Sequence, residues 1–234
     1  MRRAIWATAL VVLASACSGE PASSPSPTPS RTIEPVGVPA GTPRSYEQDI
    51  APPDVPPDAL IPPGTSVTDV WYAETSQGSS ILVAYVEPGT DPFRQEHGLI
   101  VWRRFPGEPA PWRPVFGITD PPDRAVVQLR AIIGDATGDG SPDALVFEDT
   151  GGSGACGTWR VLDLSANAEV FNRKTCDTTI DLSTDPVGLV VREAVFAEGD
   201  AHCCPSATRT SVFTYRTGAW SIASREIAPA STGA

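Results

Sequence analysis

Lysine, histidine and methionine are nearly absent. Among 234 residues there is one lysine, Lys174, two histidines, His97 and His202, and one methionine. Sixteen of the 17 cations are therefore arginines, and they form no stripe. Nucleic-acid binding requires clustered cations facing phosphates, so nucleic acid is not an expected partner. The formal charge of −11 also gives no attraction to an anionic membrane surface. No apolar run approaches the roughly 20 residues of a membrane-spanning helix. No segment keeps a helical period over three turns. Gly-x-Ser-x-Gly and His-Glu-x-x-His are missing, so the chain is not expected to be an enzyme.

What is present begins with Arg2 and Arg3, followed by an apolar stretch over 4–14 and the small residues Ala14, Ser15 and Ala16. A basic start, a short apolar run and small residues make a secretory signal peptide, expected over 1–16. Cys17 follows directly. This resembles the bacterial lipobox, although Ala14 stands where Leu is usual and Leu13 lies one residue further back. The resemblance implies lipidation of Cys17 and anchoring on the extracytoplasmic face of the cell membrane, for which two acyl chains suffice. Arginine in place of lysine, with abundant Ala and Pro, favours a GC-rich source.

Residues 18–63 contain 13 prolines among Ser, Thr, Ala and Gly. That composition cannot bury a core, so 17–63 is expected to be a lipidated cysteine and an extended spacer. One folded domain is expected over 64–229, with 230–234 as a tail.

The domain reads as all-β: short runs of Val, Ile, Thr, Tyr, Phe and Trp broken by Gly, Pro, Asp and Ser. Strands are expected at 69–73, 81–86, 98–105 and 112–118. A second set follows at 130–134, 144–148, 158–164 and 169–175. A third is expected at 193–197, 211–215 and 220–225, with 188–197 also read as strand. At a spacing of 62 residues Trp71, Ile133 and Val195 coincide. Repeats of this length imply four-strand β-meanders in a small or incomplete propeller-like arrangement. The alternative is a β-sandwich with accidental spacing.

The second set carries Asp135-Ala-Thr137-Gly-Asp139-Gly140-Ser141-Pro-Asp143 before a hydrophobic strand. This resembles the calcium loop of FG-GAP and VCBS repeats. The resemblance implies one structural calcium, with carboxylates from Asp135, Asp139 and Asp143, the Thr137 hydroxyl or a water, and the Ser141 carbonyl. Calcium takes six to eight hard oxygens, and Gly140 permits the turn that returns Asp143. Thr137 replaces the usual Asp or Asn, which weakens binding. The other reading is an acidic turn held by Asp and Thr side chains on backbone amides.

Besides Cys17 there are four cysteines, Cys156, Cys176, Cys203 and Cys204, an even number that implies two disulfides outside the cytoplasm. A hairpin turning at 165–168 places Cys156 opposite 176 or 177, which favours Cys156–Cys176 and leaves a vicinal Cys203–Cys204 bridge. Two crossed bridges between the hairpin and the Cys-Cys turn are the alternative. The stretch Ala201-His202-Cys203-Cys204-Pro205-Ser206 and the hairpin from Tyr215 to Trp220 are similar to the ending of LppP/LprE-type lipoproteins of actinobacteria. That resemblance implies a location and a topology.

The expectation is thus a membrane-anchored binding or structural module of the cell envelope, with a protein, peptide or glycan as ligand. The alternative is an envelope hydrolase using a carboxylate pair. A lipid-carrying barrel is a third class. The Gly151–Gly154 run is expected to be a turn, and His97 a solvated loop residue.

Overall fold

The computed structural model describes residues 55–230 apart from 90, 92–94, 106–111, 121–125 and 153. The expected signal peptide, Cys17, most of the spacer and 231–234 lie outside the described residues. Among the described residues no helix is long and apolar enough to cross a membrane.

The fold is all-β. Among the described residues twelve strands form three antiparallel four-strand meanders, none closed into a barrel. The first comprises β1 (Ser66–Thr75), β2 (Gly78–Val86), β3 (His97–Arg104) and β4 (Trp112–Asp120). The second comprises β5 (Gln128–Gly134), β6 (Asp143–Asp149), β7 (Gly157–Asp163) and β8 (Ala168–Thr175). The third comprises β9 (Thr178–Thr184), β10 (Val187–Val195), β11 (Ala207–Arg216) and β12 (Ala219–Pro229).

Alternation along each strand explains how the sheets stack. Ala144 and Val146 of β6 point to the first sheet and join a core with Leu82, Leu99, Val101 and Phe116. Their neighbour Leu145 points the other way, into a core with Ile180, Leu189, Val191 and Trp220 of the third sheet. The middle sheet is thus covered on both faces, and β6 is buried along nearly its whole length with the apolar run 144–147 at its centre. Trp220 fastens the third sheet to the middle one: its indole N–H donates to the Val170 carbonyl at 2.7 Å.

The expected boundary at residue 64 is too late. A 3-10 turn at Pro57–Leu60 packs on the outer face of the first sheet. Val55 and Leu60 are buried against Ile81, Tyr85, Ile100 and Trp102. Trp102 Nε1 donates to the Leu60 carbonyl at 2.8 Å. Two apolar residues inside a proline-rich stretch are enough to dock it.

The first two meanders keep the 62-residue spacing at their first strands, but the third does not. β9, missed in the sequence, opens the third sheet, and Val195 is the last residue of β10. It is not the counterpart of Trp71 and Ile133. The reason is the connection. Only Cys176 and Asp177 separate β8 from β9, whereas 121–127 separate β4 from β5. The repeat therefore slips in phase. Asp177 makes the tight turn with φ +50°.

His97 is not a solvated loop residue. It opens β3, opposite Asp120 on β4, and is 5 % exposed. The adjacent Gly98 lets the Tyr85 ring lie against the backbone, where a Cβ would come 2.1 Å from the ring. Gly151 and Gly152 do form a turn between β6 and β7, both with positive φ. Ser153 lies outside the described residues.

Candidate functional site

The acidic loop joins β5 to β6 and is organised by its own carboxylates. Asp135 accepts from the Gly138 and Gly140 amides at 2.6 and 3.0 Å. Asp139 accepts from the Ser141 amide at 2.7 Å. Asp143, fully buried, accepts on Oδ2 from the Ala136 and Thr137 amides at 2.9 and 2.8 Å. Gly138 and Gly140 hold positive φ, as such a loop demands. Each of these bonds belongs equally to the acidic-turn reading.

Two oxygens are left over. Asp143 Oδ1 and Thr137 Oγ1 are buried without a hydrogen bond of normal geometry. Burial pushes the Asp143 carboxyl up to about 7; the two amides and the nearby Thr137 hydroxyl pull it down, and Asp163 pushes it up. Asp163, opposite Asp143 on β7, was not singled out in the sequence because it lies twenty residues on, in another strand. It caps its own turn, accepting from Ser165 and Ala166. The Ser165 hydroxyl also reaches Asp139 Oδ2 at 3.3 Å. Among the described residues no three His, Cys, Asp or Glu side chains are gathered closely enough to hold a metal ion. The two unpartnered buried oxygens and the all-oxygen donor set nonetheless fit a hard cation. Asp143 Oδ1 and Thr137 Oγ1 would be its ligands as they stand; Asp135 and Asp139, with the Ser141 carbonyl, would join only by giving up their present bonds to loop amides, and the ion would supply a positive clamp on the hairpin.

The cysteines divide into two kinds. Cys156 and Cys176 form the disulfide expected from the hairpin, with a sequence separation of 20. They flank the Gly157–Thr175 pair at the end of β7 and β8. Cys203 and Cys204 have Sγ atoms 2.8 Å apart, beyond the ~2.05 Å of a covalent bond. They are exposed free thiols, so the expected vicinal bridge is not formed. Adjacent residues can close such a bridge only by distorting the peptide between them. The Cys203 sulfur beside it raises the Cys204 thiol above its ordinary value. His202 faces Asp177 at 3.2 Å and stacks on Phe196.

A concavity lies elsewhere among the described residues, where the three sheets converge. It is a cleft of about 450 Å³ lined by β1, β5, β6, β7 and β9. β1, β5 and β9 are the opening strands of the three meanders, and each is an edge strand. The sequence did not reveal the cleft, because its residues come from five strands spread over more than 100 positions.

One wall is a row across the middle sheet. Arg130, Phe147 and Trp159 are successive cross-strand partners. The Arg130 guanidinium sits 5.5 Å from the Phe147 ring centre, and Phe147 stacks on Trp159 at 4.3 Å. Arg130 also pairs with Asp149. Trp159 Nε1 is buried with no hydrogen-bond acceptor. Trp71 and Asp69 reach in from β1. A bulge between Val67 and Asp69 turns this strand. Thr179 and Asp181 contribute from β9, and Gln128 and Ile132 from β5.

The two cleft carboxylates are engaged locally. Asp69 Oδ1 accepts from the Val70 amide at 2.8 Å, and Asp181 pairs with Arg192. Both residues are exposed at the rim. Neither is arranged as a buried acid or base.

No protein-family description matches this chain, and neither a curated protein nor a solved structure is detectably similar to it.

Proposed function

We propose that this chain is a lipid-anchored module of the cell envelope that binds its ligand in the cleft between the three sheets. The single observation that carries the reading is the cleft itself. Concave sites with apolar and aromatic walls and a few convergent polar groups are where ligands bind. The lipobox-like Ala14-Ser15-Ala16-Cys17 supports the anchor, and the proline-rich stretch after it supports a spacer that holds the cleft away from the membrane. Asp69 and Asp181 are tied to their own neighbours, which favours binding over hydrolysis. The acidic loop acts as a structural calcium clamp at one end of the β5–β6 hairpin.

The test is site-specific photocrosslinking on intact cells. A photoreactive residue at Ile132, which is 46 % exposed and lines the cleft, is expected to capture an envelope component. The same group at Ile227, which is 60 % exposed and lies far along β12, is expected not to. Equal capture at both positions would sink the cleft as the binding site. Release of a Cys17→Ala chain into the medium tests the anchor separately.

A further inference from the structure

We infer that the ligand of this cleft is a neutral saccharide; the inference rests on the proposed binding role and specifies its chemistry. Three classes of small ligand compete, and the lining discriminates among them. An anion would meet Asp69 and Asp181, two carboxylates against one guanidinium. A cation would have Trp71 as its one free aromatic face, set against the charge of Arg130. The face of Phe147 is already covered by Arg130 on one side and Trp159 on the other. Arg130 is itself a positive charge and repels a second one.

A hydroxyl-rich neutral ligand meets no such conflict. Each hydroxyl both donates and accepts, so it needs a lining of mixed polarity. Arg130 is a donor, and Asp69 and Asp181 are acceptors. Gln128 and Thr179 can act as either. Planar guanidinium, carboxylate and amide groups also match the spacing of two adjacent hydroxyls in a bidentate bond. The C–H face of a sugar ring is apolar and packs on an aromatic plane, for which the half-buried Trp71 lines the cleft from β1. The volume lies within the range of about 300–1,000 Å³ of small-molecule sites.

The experiment uses the full chain in detergent. Soluble gluco-, manno-, arabino- and N-acetylglucosamine oligosaccharides are titrated, with intrinsic tryptophan fluorescence and calorimetry as readouts. Trp6 falls in the expected signal peptide and Trp102, Trp112 and Trp220 are buried in the cores, so in the processed chain a fluorescence shift reports Trp71 and Trp159. The expected result is saturable binding of one oligosaccharide class with a blue shift. Gln128→Ala, an exposed change, is expected to weaken that binding about tenfold, the loss of one good hydrogen bond. Trp71→Ala is expected to abolish it. If Trp71→Ala does not fold, Trp71→Phe should retain a weaker response.

No oligosaccharide binding, or binding that both Gln128→Ala and Trp71→Phe leave unchanged, overturns the saccharide inference. A cationic amine or an extended peptide that shifts the fluorescence instead overturns the inference and leaves the cleft standing. Crosslinking that maps away from Ile132 overturns the cleft as well.

Discussion

Phe147 and Trp159 are cross-strand partners whose rings stack with centroids 4.3 Å apart and planes 22° from parallel. Both rings line the cleft, and Phe147 is also buried. Gly157, two residues before Trp159, makes room for it: a Cβ there would lie 2.4 Å from the Phe147 ring and 2.3 Å from the Glu148 carbonyl. Phe147→Ala is expected to cost about 3–5 kcal/mol of stability. Gly157→Ala is expected to cost about 1–3 kcal/mol through overpacking. Urea unfolding of both variants checks this, and a wild-type midpoint in either would contradict the packing described.

The disulfide closes a loop of 20 residues in the middle of the domain. Its removal in a Cys156→Ser, Cys176→Ser double variant is expected to lose about 3 kcal/mol. For a domain of this size that is a drop of about 6–12 °C in Tm. Calorimetry of oxidised, reduced and double-variant protein measures it. The reduced wild type should fall to the level of the double variant.

Cys203 and Cys204 are exposed thiols, while Cys156 and Cys176 are bonded. Maleimide treatment of the folded, unreduced protein is expected to label the first pair and spare the second. Peptide mass mapping reads the result directly. A disulfide linking Cys156 to Cys203 or Cys204 would contradict the topology of β7 to β11.

Calcium is expected to stabilise the domain through the acidic loop. At a hundredfold excess over Kd the gain is about 2.7 kcal/mol, or about 5–10 °C in Tm. Asp139→Ala is expected to abolish the shift while leaving the metal-free protein within about 0.5 kcal/mol of wild type, since Asp139 is exposed. A scan without a calcium effect returns the loop to an acidic turn.

Glu193 on β10 joins the middle and outer sheets. It accepts from Arg209 at 2.9 Å and pairs with Arg173. Burial alone would raise its carboxyl, but the hydrogen bond from Arg209 and the charge of Arg173 outweigh it and hold the group below its ordinary value. The folded state therefore keeps Glu193 ionised where the unfolded chain, with a value of about 4.3, protonates it. The contribution is present above that pH and is lost as pH falls through the folded value. Glu193→Gln should flatten this part of the stability–pH curve below about pH 4.5. Denaturation midpoints from pH 3 to pH 7 provide the comparison; parallel curves for variant and wild type would remove Glu193 from the linkage.

Alternation of apolar and polar residues was enough to place eleven of the strands and the first two meanders, because period-two patterning is local. The Cys156–Cys176 pairing was legible for the same reason: strand lengths on either side of one short turn fix which residues lie opposite. β9 was missed although Thr178 to Thr184 alternates cleanly, because the two-residue link at Cys176 and Asp177 breaks the phase set by the earlier sets. The burial of His97 was missed because it depends on Asp120 and the neighbouring strands, which no short window contains.

By itself the chain determined its all-β character, one disulfide and the acidic loop. These follow from propensity, spacing and residues within a few positions of one another. The tertiary structure alone decided that Val55 and Leu60 belong to the fold, that Asp163 lies beside Asp143, and that the opening strands of three meanders meet around a cleft. The physical reason is sheet stacking. Covering the middle sheet on both faces brings Trp71, Arg130 and Asp181 to one place although they are far apart in sequence.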